Sequence, residues 1–366
     1  MSSMTDDRFG VVVGVDTHAD THHVAVIDHL GRALGDAEFA TTPDGFEAAL
    51  AYATGFGVVA KAGVEGTGSY GTSFAAFVVA AGIDVVEVNR PDRSERRRLG
   101  KSDSTDAYQA AHAALSGKAT AIPKDRSGIV ESIRVIHLAR RSAINARTKT
   151  INQLKQLVIT APVQLREQLR GLSTAQLVDR CARFRPDGDT ADPWTGNKIA
   201  MRRLARRYQH LTDEITEADQ QLDTRTRQAT PTLRAQTGVG PDTAAKLQIT
   251  AADNPHRMRN EAAFAKLTGT APLEDTSGRV TNRHRLNRGG DRQANNALHN
   301  IALTRLRRCH RSRTYHAKRT TDGLARLEIM RCLKRYIARD LFKIIIADLT
   351  THNTTNNTTQ PHHLTT

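Results

Sequence analysis

The sequence has few cysteines, no long apolar run and no export signal. Its 366 residues include three cysteines, Cys181, Cys309 and Cys332, and none of them forms a CxxC pair. This spacing argues against a zinc ribbon, a thioredoxin-like site and a disulfide-stapled secreted scaffold. No window approaches the ~18 apolar residues of a membrane span, and the first ten residues, MSSMTDDRFG, lack the basic and apolar regions of a signal peptide. We therefore expect a cytoplasmic protein with no membrane partner.

Acidic residues are scarce in one long C-terminal stretch. Residues 279–343 contain 18 Lys and Arg but only 4 Asp and Glu, a net charge of +14 against +15 for the whole chain. A field this concentrated attracts polyanions, above all nucleic acid. A solvated helix face is the plainer alternative, but the basic residues recur through several predicted elements, which favours nucleic-acid binding.

The N-terminal third alternates between strand and helix signals. Short β-branched runs and turn residues predict strands over residues 11–16, 22–28, 33–40, 58–65 and 83–89. Helices are predicted after Thr42, over 69–82 and after the N-cap Ser102. Three antiparallel strands followed by β–α alternation are the order of the ribonuclease H-like fold, so we expect an α/β domain of this class over residues 8–124.

The rest of the chain reads as all-α. Val130, His137, Ile144, Ile151 and Val158 recur at every seventh position, and a second 4–3 pattern runs from Leu204 to Leu222. This periodicity predicts a helical coiled-coil region over 125–230, closed as an antiparallel hairpin or paired between protomers. A mostly helical third domain is expected over 231–349, and the Thr/Asn-rich tail from 350 to 366 is predicted to be disordered.

Four carboxylates stand where a metal site is expected. Asp16 ends the first strand, Glu65 ends the fourth, and Asp103 and Asp106 are three apart on one helix face. Strands one and four are neighbours in a ribonuclease H-like sheet, so the four acids converge. Hard oxygen ligands suit Mg²⁺ or Mn²⁺, and such ions support phosphodiester cleavage. Each acid alone is more typical of a turn or helix cap; the joint pattern favours the site.

A glycine turn in the third domain predicts a phosphate contact. Gly238 and Gly240 flank Val239 within PTLRAQTGVGPDTAAKLQI. The pattern is typical of a helix–hairpin–helix, whose backbone N–H groups hold a DNA phosphate without reading its sequence. The alternative is a hairpin turn that only packs.

One serine lies beside a cluster of arginines. Ser277 stands in a polar loop, and the arginines that follow it are Arg279, Arg283, Arg285, Arg288 and Arg292. A loop serine is usually a cap or turn residue, but arginines beside it would hold a scissile phosphate and stabilise its developing charge. The acids and the basic surface thus lie in different domains, which indicates a division of labour.

Several segments resemble one known family in sequence and order. They are GVDTHADTHHVAVID, AGVEGTGSYG, VEVNRPDR, GKSDSTDAYQAA, TGVGPDTAAKL, the TSG loop, LNRGGDRQANNAL and RCLKRYIARDLF. Together these blocks resemble the DEDD insertion-sequence transposases of the Piv/MooV DNA-invertase-like group, also described as bridge-RNA-guided recombinases. The resemblance spans about residues 10–345.

The resemblance implies roles for particular residues. Asp16, Glu65, Asp103 and Asp106 would be the metal ligands of a RuvC-like domain, and Ser277 would attack a DNA phosphodiester. Many members have a serine where this chain has Thr276. The family further implies donor and target DNA, a structured noncoding guide RNA and a homo-oligomer, from dimer to tetramer.

Two other functions remain compatible with the sequence. One is a RuvC-like structure-specific DNA endonuclease in which Ser277 is merely structural. The other is a non-catalytic nucleic-acid-binding protein whose acids have no chemical role. Substitution of Ser277 or Asp16 distinguishes them from a transposase.

Overall fold

The chain divides into two compact units, residues 1–125 and 126–366. The structure is a computed structural model, and it describes residues 10–88, 102–275, 284, 285, 287 and 289–359. The predicted second and third domains fall within one unit.

The first unit is built on a five-stranded mixed sheet. Its strands are β1 (Val11–Thr17), β2 (Thr21–Ile27), β3 (Ala33–Ala40), β4 (Val59–Glu65) and β5 (Asp84–Val88). The sheet order is β3-β2-β1-β4-β5; β1, β2 and β3 pair antiparallel, whereas β1, β4 and β5 run parallel. This order and polarity confirm the ribonuclease H-like prediction. Helices α1 (Pro43–Thr54) and α2 (Thr72–Ala80) cover one face, where Phe46 and Phe74 pack on the strand valines.

Helix α3 (Asp103–Leu115) covers the other face of the sheet at unusually short range. Its buried side is made of alanines, including Ala107 and Ala111. Opposite them stand Gly14 on β1 and Gly63 on β4, where a Cβ atom would lie only 2.0 Å from the Ala107 carbonyl oxygen and 2.5 Å from the Ala110 carbonyl oxygen, respectively. Small residues on both surfaces therefore let the helix backbone approach the strands directly.

In its described residues, the second unit is helical apart from one short hairpin. Its helices are α4 (Ile129–Thr160), α5 (Val163–Leu169), α6 (Thr174–Ala182), α7 (Pro193–Ala229), α8 (Pro231–Arg234), α9 (Pro241–Ala251), α10 (Glu261–Leu267), α11 (Arg292–Arg308), α12 (His310–Thr321) and α13 (Arg326–Thr359). Strands β6 (Leu273–Glu274) and β7 (His284–Arg285) form the hairpin.

The two long helices close on each other as an antiparallel pair. Val130, near the start of α4, shares a core with Leu222 near the end of α7. Leu154, near the end of α4, shares another with Met201 near the start of α7. Of the two arrangements left open by the heptads, the structure forms the hairpin within one chain.

The predicted coiled-coil and C-terminal regions share a core. Ile133 and Leu222 of the long pair pack with Leu233, Phe264 and Ile301. The start of α4 is also capped from the C-terminal region, because Asp253, which is buried, accepts hydrogen bonds from Val130 N (2.8 Å) and Glu131 N (3.1 Å). These contacts make residues 126–359 a single folded unit.

The tail prediction is wrong for residues 350–359, because helix α13 continues to Thr359. Leu349 is fully buried, and Asn353 Nδ2 donates to the Asp253 carbonyl oxygen at 2.6 Å. These tertiary contacts offset the weak helix propensity of threonine and asparagine. Residues 360–366 lie outside the described residues. Within the described part of the chain, no helix is long and apolar enough to cross a membrane.

Candidate metal centre and nucleic-acid interface

Asp16 and Glu65 lie side by side where two parallel strands end. The β1–β4 register pairs Val15 with Val64, which places Asp16 beside Glu65 at the next position. Thr17 Oγ1 also donates to the Glu65 carbonyl oxygen at 3.0 Å and joins the two strand ends. Side chains alternate along a strand, so Asp16 points to the same face as Gly14, and Glu65 to the same face as Gly63. That is the face covered by α3.

Helix α3 brings the other two acids to the same edge. Ser102 caps the helix by accepting from Thr105 N, as its sequence position predicted, and Asp103 is the first helical residue. Asp106, one turn further, is buried to 1% exposure. Because the helix backbone lies directly on Gly14 and Gly63, its first turn is held beside the strand ends.

A tight cluster forms around Asp16. Donor atoms of Asp16, His18 and Asp103 all lie within 4.8 Å of one another. His18 Nε2 is 3.2 Å from Asp16 Oδ2 and 3.4 Å from Asp103 Oδ1. Asp16 is mostly buried, with 10% of its side chain exposed, whereas His18 and Asp103 are half-exposed. The cluster is thus anchored in the sheet and open to solvent on one side.

Electrostatics at Asp16 disfavour further negative charge. Burial raises the pKa of Asp16 above its ordinary value, and the carboxylates of Asp106 and Asp103 raise it further, against the opposing effect of His18. Clustered carboxylates of this kind are stabilised by a cation. Their oxygen-rich donor set fits Mg²⁺ or Mn²⁺. Glu65 and Asp106 do not belong to the 4.8 Å cluster, although Asp106 is near enough to raise the pKa of Asp16.

Three histidines follow Asp16 in the sequence, His18, His22 and His23, and the structure gives them different surroundings. His22 is buried against Phe46 and Phe74, and His23 Nε2 lies 2.6 Å from Asp36 Oδ2, so these two pack and pair within the sheet. Only His18 joins the carboxylates. Its position two residues after Asp16 is the signal that could have identified it, because i and i+2 share a face of an extended strand.

The glycine turn at Gly238 uses its backbone groups internally. Gly238 has φ +88°, and a Cβ there would lie 3.1 Å from the Ile301 carbonyl oxygen of α11. Val239 N donates to Gln236 O at 3.0 Å, and Gly240 N donates to Thr243 Oγ1 at 2.9 Å. Two of the amides expected to hold a phosphate therefore already have partners. This geometry favours the packing alternative.

The loop that contains Ser277 connects the two strands of one hairpin, because Glu274 of β6 pairs with His284 of β7. Ser277, Arg279, Arg283 and Arg288 lie outside the described residues. Arg285 is exposed on β7, and Arg292 is exposed at the start of α11, a helix capped by Asp291.

Comparison with known families gives two matches. Residues 13–161 match a family model for the DEDD transposases of IS110, described as transposase, and residues 231–317 match a model described as transposase of the IS116/IS110/IS902 family. The matches cover more than half of the chain, and the first includes all four acids. No curated protein gave a significant match to the chain.

Proposed function

The chain belongs to the IS116/IS110/IS902 family of transposases, and from this premise we propose that it excises and inserts a DNA element by cleaving and rejoining phosphodiester bonds. The observation that carries the proposal is the cluster of Asp16, His18 and Asp103 at the end of β1. It supplies an open, cation-attracting site in the region that matches the transposase model.

The carboxylates of Asp16, Glu65, Asp103 and Asp106 would hold Mg²⁺ or Mn²⁺. When bound, such an ion supplies Lewis-acid stabilisation of the charge that develops on the attacked phosphate. His18 contacts both Asp16 and Asp103, so it positions two of the ligands relative to each other. Removing a residue that orients metal ligands in this way commonly weakens metal binding by roughly 10–100-fold.

The proposed nucleophile is Ser277. Its Oγ attacks the phosphorus of a DNA phosphodiester, an O–P bond to serine forms, and the bond to one deoxyribose oxygen breaks. The serine proton is transferred to that leaving oxygen, which departs as a hydroxyl group. In the second step a hydroxyl of another strand attacks the phosphoserine, restores the serine and creates the recombined phosphodiester. The arginines after Ser277 would stabilise charge on the phosphate in both steps.

The partners of the proposed reaction are element and target DNA, a structured noncoding RNA that pairs with both, and further copies of this chain. These partners follow from the family resemblance. If RNA pairing chooses the sites, the target sequence is encoded outside this protein.

The decisive experiment combines purified protein, the RNA transcribed from the DNA that flanks its gene, and labelled element DNA. We expect Ser277→Ala to abolish a denaturation-resistant protein–DNA adduct, whereas Thr276→Ala, which removes the neighbouring hydroxyl, retains it. Asp16→Asn should abolish cleavage, whereas Asp20→Asn, an exposed turn residue, should not.

The alternatives predict different results in the same assay. A structure-specific nuclease without serine chemistry would cleave DNA in the Ser277→Ala variant and form no adduct. A non-catalytic binding protein would give the same DNA products with Asp16 or Asn at position 16.

A further inference from the structure

The second unit contains a basic cleft of about 610 Å³ beside the β6–β7 hairpin. One wall is the loop of residues 269–272, which follows α10, and the other is helix α13. Among the residues that the structure describes, six cationic side chains line it, against one carboxylate, Glu328. They are Arg285, Arg319, Arg331, Lys334, Arg335 and Arg339.

Three of these cations form an evenly spaced row, which we call the arginine ladder. Arg331, Arg335 and Arg339 are four residues apart on α13, so each lies about one turn, roughly 6 Å, beyond the last along the helix axis. Successive phosphates of an extended nucleic-acid strand are separated by a similar distance. The ladder can therefore follow one strand, phosphate by phosphate.

Three of the six cations have carboxylate partners. Arg335 Nη2 lies 2.8 Å from Glu261 Oε1, Arg319 Nη1 lies 2.9 Å from Asp322 Oδ2, and Arg331 is paired loosely with Glu328 at 3.6 Å. In contrast, no carboxylate of the described residues lies within 4.0 Å of Arg339 or Lys334. A phosphate entering the cleft would therefore not compete with a carboxylate of the described residues for Arg339 or Lys334.

Lys334 is held at the cleft with little contact to water. It is 8% exposed, and its Nζ donates to Asn295 Oδ1 at 2.8 Å. Asn295 in turn donates to the Thr268 carbonyl oxygen at 2.8 Å, which fixes the lysine to the opposite wall. Burial lowers the pKa of Lys334, and the charge of Arg331 lowers it further. A bound phosphate would remove this penalty.

The cleft also offers an aromatic surface for bases. Tyr336 is 40% exposed on α13, and the guanidinium of Arg339 lies 5.2 Å from the centre of its ring. Proteins that bind single strands combine a cationic groove for the backbone with aromatic rings on which bases stack. A duplex needs no such stacking surface, because its bases are already paired and stacked.

We propose that this cleft binds the sugar–phosphate backbone of a single DNA strand, with the arginine ladder and Lys334 on the phosphates and Tyr336 against a base. The site goes beyond the proposed function, because it is a strand-binding surface distinct from the carboxylate cluster. DNA is chosen over RNA because the chain belongs to a transposase family, whose substrate is DNA.

The test measures binding of a fluorescent oligothymidylate to the full-length protein over a range of salt concentrations. For a single strand, the slope of log K against log salt is about −0.7 per phosphate contact, so each lost contact makes this negative slope shallower by about 0.7. The double variant Arg331→Gln/Arg339→Gln should therefore make the slope shallower by about 1.4 and weaken binding by roughly tenfold or more.

The matched control is Arg326→Gln/Lys343→Gln. It removes two charges from the same helix at exposed positions that do not line the cleft. We expect it to retain the wild-type slope. An equal loss in control and ladder variants, or an unchanged slope in the ladder variant, would overturn the proposal.

Two further measurements address an unfolded double variant and the choice between DNA and RNA. If the double variant unfolds, Arg339→Gln alone, at an exposed position, should still make the slope shallower by about 0.7. The same variants are also measured with oligouridylate, which tests whether the cleft prefers DNA or RNA. If the substitutions weaken RNA binding more than DNA binding, the DNA assignment is overturned. Because no cleavage is measured, loss of the Ser277 adduct and loss of this binding are separate results.

Discussion

The close approach of helix α3 to the sheet makes Gly14→Ala a direct test of how the carboxylates are assembled. A Cβ at position 14 would lie 2.0 Å from the Ala107 carbonyl oxygen and 2.3 Å from the Ala111 amide nitrogen. Both are backbone atoms, so no side-chain rotation can relieve the contact. Since real Cβ contacts are essentially never shorter than 3.0 Å, the helix must move by about 1 Å or more.

This movement lowers the stability of the protein and the rate of cleavage by different amounts. Overpacking of this kind destabilises a core by roughly 1–3 kcal/mol. Asp103 lies one helical turn before Ala107 and would move with it, away from His18 and Asp16, which β1 holds in place. A displacement of about 1 Å in a catalytic group can reduce the rate by about 100-fold. We therefore expect activity to fall much more than the folded fraction.

The assay is the rate of cleavage of labelled element DNA, measured at a temperature where circular dichroism shows the variant folded. Gly196→Ala is the control, because it lies in helix α7 and its nearest neighbour would be 3.8 Å away. It should retain both stability and activity. Wild-type cleavage by a folded Gly14→Ala protein would refute the view that helix position sets the site.

The N-terminal fold was predictable because each of its signals is local. Runs such as VVVGVD combine β-branched residues with turn signals at their ends, and strand order follows from three antiparallel strands before a β–α alternation. The positions of Asp16 and Glu65 then follow from strand pairing alone. The i, i+3 spacing of Asp103 and Asp106 likewise fixes their common helix face.

The features that the sequence did not reveal depend on contacts between distant segments. The spacing of His18 from Asp16 is visible in the sequence, but its contact with Asp103 depends on where helix α3 lies. The glycine turn has the residues of a phosphate-binding hairpin, but Thr243, three positions later, takes the Gly240 amide. The cleft beside the arginine ladder could not be predicted for the same reason, because the wall opposite the ladder comes from residues more than 50 positions away.

Substitutions of His18, Asp253 and Asp242 test three further contacts. His18→Ala should raise the Mg²⁺ concentration for half-maximal cleavage about tenfold, whereas His23→Ala should leave it unchanged. Asp253→Ala removes the buried cap of α4 and should lower the free energy of unfolding in urea by about 1–2 kcal/mol; a smaller loss than about 0.5 kcal/mol would contradict this role. The last prediction concerns the stability of the protein at low pH. Burial opposes ionisation of Asp242, but hydrogen bonds from His137 Nε2, 3.1 Å away, and from Lys246 outweigh it and hold the pKa of Asp242 below its ordinary 3.8. Because the folded-state pKa is lowered, the stabilisation is complete above about pH 4 and is lost as the pH falls through the folded pKa. Asp242→Asn should therefore destabilise the protein at pH 7, and the difference from wild type should shrink at pH 3 in urea unfolding. A difference that is constant over this range would mean that packing, rather than the charge of Asp242, stabilises the junction of α4 and α9.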